Sequence, residues 1–109
     1  MRYILNSAVI TSPGRYTYRL VEVEEAKDWL KAGPWTSTIG YQETAEALGS
    51  LLGVEIPVSR TQIKMGVGDE ALIYRLTIRI SDPATKGRIG DPEWLRSHSE
   101  IGILSRDAD

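Results

Sequence analysis

A chain of 109 residues, 41% of them hydrophobic and 26% charged, has room for one core, and its apolar runs are too short to span a bilayer. The lack of Cys, the single His and a start without a secretory cleavage site predict a cytoplasmic protein with no disulfide, metal or cofactor. A net charge of -2 argues against binding to a long nucleic acid, whereas a short anion in a local basic pocket stays compatible with it.

Two strands come first. Residues 2–10 are apolar on both faces, which is typical of a buried strand, and turn residues follow at 12–14. Residues 15–22 alternate between two faces and favour a second strand. We expect these two strands to pair as an opening hairpin.

Two helices follow in chain order. Acidic residues at the start of 24–30, with Gly33 and Pro34 beyond its end, predict a helix of two or three turns. A second helix is predicted from about Tyr41 to Leu52, because its apolar residues share one face, and Gly53 is a natural stop.

A second hairpin is predicted from period-two patterns at 60–65 and 71–80, joined by a glycine-rich turn. Its polar face carries six side chains, which we call the basic stripe: Arg60, Gln62, Lys64, Arg75, Thr77 and Arg79. Like charges on adjoining strands repel, so the stripe suggests an anionic partner. A solvated face whose cations pair with Glu explains the pattern equally well.

The C-terminal third is predicted to contain a loop over 82–92 and a short helix over 92–98, with Asp91 as its N-cap and Pro92 at its first position. An edge strand over 100–104 and a disordered end over 105–109 complete the predicted order. The elements together indicate one α+β domain spanning 1–109.

Two further groups could carry chemistry. The stretch from Ser37 to Tyr41 stands at a helix start, where free backbone N–H groups favour a phosphate, although Ser37 or Thr38 could simply cap the helix. Arg79 and Asp82 follow the long strand, where they form either an ion pair or part of a site.

The chain resembles one family in four stretches: LNSAVITSPGRY, EEAKDWL, STIGYQETAEALGSLLGVEIPVSR and GDEALIYRLTIR. It is similar there to the viral anti-CRISPR type III proteins and their bacterial relatives, the ring nucleases. The similarity covers roughly residues 3–80 in order, and its most specific part is the helix start S-x-IG-x-x-x-TA.

This resemblance implies a dimer with a small mixed sheet and flanking helices that binds cyclic tetra-adenylate across its two-fold axis. It also implies cleavage without metal, by in-line attack of a ribose 2′-hydroxyl on the adjacent phosphorus. The implied catalytic residues are Tyr41, Arg79, which would stabilise phosphate charge, and Asp82, which falls where the family tends to have Glu. The candidate ligand-binding residues are Asn6, Ser7, Ser37, Thr38, Ile39, Gly40, Arg60 and Lys64.

One residue departs from the pattern of active members, which carry IGH where this chain has Ile39, Gly40 and Tyr41. A tyrosine ordinarily titrates near pH 10 and a histidine near pH 6.5, so tyrosine gives up its proton reluctantly at neutral pH. Loss of a matched general acid costs about 10²- to 10⁴-fold in rate. Slow cleavage, binding of the intact ring as a sponge or sensor, and a dimeric interaction module without a nucleotide are therefore three open alternatives.

Overall fold

The computed structural model describes residues 1–6, 12–61, 63–77, 87 and 90–109. Its strands are β1 (Arg2–Leu5), β2 (Arg15–Leu20), β3 (Thr36–Ser37), β4 (Glu70–Leu76) and β5 (Ser99–Ala108), and its helices are α1 (Val23–Lys31), α2 (Gln42–Leu52) and α3 (Pro92–Ser97). The strands form one mixed sheet in the order β2-β5-β4-β1-β3. The predicted α+β class with a small mixed sheet is confirmed.

Strand β1 lies inside the sheet, parallel to β3 on one side and to β4 on the other. The predicted opening hairpin is wrong, because β2 pairs antiparallel with β5 at the opposite edge. Burial explains the difference. The second half of β1 is buried, as an inner strand requires, whereas almost every residue of β2 is exposed, as suits an edge.

The second predicted hairpin is also wrong. Among residues 60, 61 and 63–65, which the structure describes, there is no strand. Strand β4 instead pairs with β1 and β5, because residues 71–74 are buried on both faces and need a neighbour on each side.

Strand β5 is an inner strand of the sheet, between β2 and β4, and is not the predicted edge strand. It also continues to Ala108, so the disordered end predicted over 105–109 is wrong. Polar residues there are held by partners: Arg106 Nη1 donates to the Met65 carbonyl at 2.6 Å and its Nη2 to the Pro13 carbonyl at 2.9 Å. The predicted loop over 82–92 falls largely outside the described residues.

All three described helices pack on one face of the sheet. There they share a core with Ile4 of β1, Leu72 and Tyr74 of β4, and Ile103 of β5. On the other face a smaller cluster contains no helical residue, and the irregular segment around Ile63 and Met65 covers it. The helices therefore leave one sheet face to loops and solvent.

The helix ends follow the predicted local signals. Helix α2 begins after Tyr41, whose backbone is extended. It ends at Gly53, whose φ of 71° glycine adopts at little cost. Helix α3 begins after Asp91, whose Oδ1 accepts the N–H groups of Glu93 at 3.1 Å and Trp94 at 3.3 Å. Both predicted helices are confirmed, as is α1.

Candidate functional site

The candidate site lies where the parallel strands end. Strands β1 and β3 run in the same direction. Asn6 follows β1 and Thr38 follows β3, so both residues lie beyond the carboxyl ends of these strands. Open α/β sheets bind ligands at this end, beyond the carboxyl ends of their strands. A pocket of about 270 Å³ opens there, here called the strand-end pocket, and it is lined by Asn6, Thr38, Gly40, Tyr41, Arg60 and Thr61.

Ser37, Thr38 and Ile39 form the base of the site through buried contacts. The Ser37 hydroxyl donates to the Pro57 carbonyl at 2.6 Å, and the Thr38 hydroxyl donates to the Ile4 carbonyl at 3.0 Å. Ile39 is fully buried in the core. Of these three candidate ligand-binding residues, only Thr38 lines the pocket, and its hydroxyl hydrogen is already used in the fold.

The start of α2 has no side-chain cap from the residues that the structure describes. Tyr41 occupies the N-cap position and makes no capping hydrogen bond, so the predicted capping by Ser37 or Thr38 is wrong. The N–H groups of the first helical turn are therefore left for water or an anion, at the end of the helix where the dipole is positive. Tyr41 is 53% exposed, which places its side chain in reach of solvent and ligand.

Arg60 brings a cation to the same place. Its guanidinium lies over the Tyr41 ring, with the Arg60 Cζ atom 5.3 Å from the ring centroid. No acidic side chain pairs with it in the described part of the chain. The Ser59 N–H donates to the Ile39 carbonyl at 2.9 Å, which ties the segment carrying Arg60 to the start of α2.

Two other described members of the basic stripe, Lys64 and Arg75, do not line this pocket. Arg75 donates from Nε and Nη2 to the carboxylate of Glu100 at 3.2 and 3.0 Å, which is the paired alternative that the sequence left open. Lys64 is exposed and does not line the strand-end pocket. Ser7, Arg79 and Asp82 lie outside the described residues, so their candidate roles stay predictions.

The structure also places Thr61 and His98. Thr61 lines the pocket, although the alternation around it suggested the apolar face of a strand. His98 is partly buried at the end of α3, where its ring stacks on Trp94 with centroids 4.4 Å apart and its Nδ1 donates to the Trp94 carbonyl at 2.8 Å. The sequence gives only a weak indication that Thr61 lines a site, namely that it directly follows Arg60.

Two kinds of feature are absent from the described residues. No three His, Asp or Glu side chains in the described part of the chain are grouped to hold a metal ion. None of the described helices is long and apolar enough to cross a membrane.

Comparison with known proteins gives the family. Residues 2–98 match the family described as STIV B116-like. The chain belongs to that family. Its relatives include ORF117 of Acidianus two-tailed virus, which is 34% identical over 96% of this chain and 86% of its own length.

Two other members of the comparison come from a virus and a bacterium. Protein 26 of Sulfolobus islandicus filamentous virus is 38% identical over 75% of this chain and 73% of its own length. YddF of Bacillus subtilis is 38% identical over 66% of this chain and 68% of its own length.

A solved structure has the same fold. B116 of Sulfolobus turreted icosahedral virus superposes with a TM-score of 0.75, covers 96% of this chain and 98% of its own, and shares 20% sequence identity. The STIV B116-like family is thus supported by sequence over most of the chain and by fold over nearly all of it.

Proposed function

We propose that this protein binds cyclic tetra-adenylate, the second messenger of type III CRISPR defence, and removes it by cutting one of its phosphodiester bonds. The observation that carries the proposal is the strand-end pocket, where the Arg60 guanidinium and the start of α2 converge, neither of them paired with or capped by a side chain of the described residues. A guanidinium and free N–H groups at a helix start both favour phosphate oxygens. The resemblance of the sequence to ring nucleases supplies the identity of the ligand.

The size of the pocket supports a ligand shared between two copies of the chain. Pockets that enclose a drug-sized ligand have about 300 to 1,000 Å³. At about 270 Å³ the strand-end pocket suits one phosphate and its neighbouring sugar, and not a ring of four nucleotides. We therefore propose a homodimer in which each copy holds half of the ring.

The proposed cleavage needs no group beyond the chain and the ring. A bond forms between a ribose 2′ oxygen and the adjacent phosphorus while the bond from phosphorus to the 5′ oxygen breaks. The 2′ proton leaves to solvent, the Tyr41 hydroxyl gives a proton to the departing 5′ oxygen, and the Tyr41 phenolate then takes a proton back from solvent. Arg60 and Arg79 would stabilise the charge on phosphorus, and Asp82 would orient the ribose. The products are a 2′,3′-cyclic phosphate and a free 5′-hydroxyl.

A second candidate function is binding of the intact ring, as a sponge or sensor. Tyr41 favours it, because this residue stands where active members of the resembled family have their general-acid histidine. The pocket and the cation would be the same in both functions, so the two differ in the fate of the bound ring.

One experiment separates these functions. Pure protein is incubated with radiolabelled cyclic tetra-adenylate and EDTA, and bound intact ring is separated from linear product over time. Slow accumulation of linear product supports the enzyme, and bound ring that stays intact supports the sponge. A folded protein with no affinity for the ring would overturn both and leave a dimeric interaction module.

Arginine variants test the site in the same assay. Replacing Arg60 or Arg79 with Ala should weaken binding or turnover about 10- to 100-fold, since each would remove a charged hydrogen bond to phosphate. Arg75→Ala is the matched control, because its exposed guanidinium already pairs with Glu100. Equal effects of all three substitutions would mean that the cations act only through surface charge.

A further inference from the structure

We infer that Gly40 and Tyr41 are positioning residues that together hold the Arg60 guanidinium in the strand-end pocket. The pair is called the Arg60 seat below. The inference rests on the proposed function, because it explains how the cation that would bind phosphate is aimed. It assigns Tyr41 a role for its ring that is separate from any proton donated by its hydroxyl.

Gly40 makes room for the stem of Arg60. A Cβ atom on Gly40 would lie 3.2 Å from the Arg60 Cγ and 3.3 Å from its Nε, closer than side chains ordinarily pack. The described glycines with positive φ are Gly14, Gly53 and Gly68, and Gly40 is not among them. The close approach of the Arg60 side chain, and not the backbone conformation of Gly40, is therefore what favours glycine at this position.

Tyr41 supports the charged end. The guanidinium lies over its ring at 5.3 Å, within the distance of about 6 Å at which a cation is attracted to an aromatic face. The contact with the cation is made by the Tyr41 ring. The Tyr41 hydroxyl makes no capping bond with α2. A phenylalanine should therefore keep this contact, and an aliphatic side chain should lose it.

The backbone on either side of Arg60 is held as well. Ser59 donates its N–H to the Ile39 carbonyl, and the Ser59 and Thr61 hydroxyls lie 3.1 Å apart. The backbone next to Arg60 is thus held in place. The aliphatic part of the Arg60 side chain runs past Gly40, and its guanidinium lies over the Tyr41 ring. An unpaired cation held in this way loses less side-chain entropy on binding an anion than one that is free in solvent.

The first test measures the contact between Arg60 and the Arg60 seat in the absence of a ligand. In nuclear magnetic resonance spectra, the Arg60 Nε–H signal should show a ring-current shift in the parent and in Tyr41→Phe, and should lose it in Tyr41→Leu. Gly40→Ala should move the same signal, whereas Gly66→Ala should not. Gly66 is the matched control, because its added Cβ would meet only the Asp69 side chain, with Oδ2 at 3.5 Å and Cγ at 3.9 Å, which are ordinary contacts.

The second test reads affinity for cyclic tetra-adenylate in a double-mutant cycle. Gly40→Ala should weaken binding about three- to tenfold in the parent and should have no further effect in an Arg60→Ala background. Tyr41→Leu should weaken binding about two- to fivefold, with the same dependence on Arg60. Melting temperatures of all variants show that each one is folded.

The outcomes separate the two claims. Equal effects of Gly40→Ala in both backgrounds, or the same Arg60 Nε–H signal in Tyr41→Phe and Tyr41→Leu, would overturn the seat. If the parent shows the ring-current shift and yet does not bind the ring, the seat stands and the proposed function fails.

Discussion

Tyr41 can be exchanged with little risk to the fold, because it is 53% exposed and caps no backbone group with its side chain. If proton donation limits the proposed cleavage, Tyr41→His should raise the single-turnover rate about 10- to 1,000-fold. A histidine titrates near neutrality and gives up its proton more readily than a tyrosine does. The rate should be measured with enzyme in excess, because slow product release could hide a faster chemical step.

The pH profile and the affinity of this variant complete the test. A histidine acts as a general acid only when protonated, so the rate of Tyr41→His should fall as pH rises past the imidazole pKa. Its affinity should change by less than about fivefold, since the phosphate contacts are kept. A variant that binds the ring and leaves it uncut would show that the missing acid is not what limits cleavage.

Asp69 predicts how stability depends on pH. Burial alone would raise the pKa of its carboxyl, but hydrogen bonds from the Met1 ammonium and the Gly66 N–H, with the charges of Met1 and Arg106, lower it below the ordinary 3.8. A lowered folded-state pKa contributes stability that is present above the unfolded pKa and lost as pH falls through the folded value.

Asp69→Asn should therefore lower the free energy of unfolding at neutral pH and flatten its fall below about pH 4. Urea unfolding between pH 3 and pH 7 measures both effects. Asp28→Asn is the control, because its exposed side chain on α1 has no partner in the described part of the chain. Parallel curves for the parent and Asp69→Asn would contradict the expected linkage.

At the scale of elements, the end of α2 depends on a glycine inside the helix. The Gly49 carbonyl accepts the N–H groups of Gly53 at 2.8 Å and Val54 at 3.2 Å, which folds the chain back over the last turn. Alanine within a helix is ordinarily more stable than glycine by about 1 kcal/mol. Here its Cβ would lie 2.7 Å from the Val54 carbonyl oxygen, so the usual gain cannot be realised without movement of the backbone.

We expect Gly49→Ala to destabilise the protein by about 1 to 3 kcal/mol, as overpacking against a fixed backbone does. Ser50→Ala, the next residue along the helix, should change stability by less than about 0.5 kcal/mol. Urea unfolding of both variants gives the comparison. A stabilised Gly49→Ala would mean that the turn after α2 yields easily.

The helices could be predicted because their signals are local. Asp91 and Pro92 start α3, and Gly53 ends α2, each through contacts within a few residues. Strand partners could not, because β4 meets β1 from one end of the chain and β5 from the other. Alternation along a strand indicates its faces and does not say which strand lies beside it.

The same limit applies to the site. Tyr41 and the residues just before it were expected to lie close together, since they stand at one helix start. The hydrogen bond from the Ser59 N–H to the Ile39 carbonyl brings the neighbouring Arg60 to the same place. Arg75 was predicted on the basic stripe with Arg60, and it pairs with Glu100, 25 residues further along the chain. No pattern along the sequence reveals such a distant partner, and the roles of Arg79 and Asp82 stay predictions.

At the scale of the molecule, the sheet face without helices is the surface that we expect to form the homodimer. Tyr18 and Leu20 of β2 are 40% and 62% exposed on it. Light scattering should give twice the 12.1 kDa of one chain, and Leu20→Glu should give a monomer. Val54→Glu is the control, since Val54 is exposed beside the end of α2. A parent that is monomeric with and without cyclic tetra-adenylate would refute the homodimer.

The inner position of β5 affects the order in which the strands of the sheet can pair. Strand β5 is the last described strand to leave the ribosome, and until it does, β2 has no neighbour and β4 lacks one of its two. A nascent chain therefore holds the paired strands β1, β3 and β4 beside an unpaired β2 with exposed tyrosines. Unpaired strands of this kind are prone to join those of other chains. Because β5 lies between β2 and β4, β2 can join the sheet only after residues 99–108 have been synthesised, later than β1, β3 and β4 can pair.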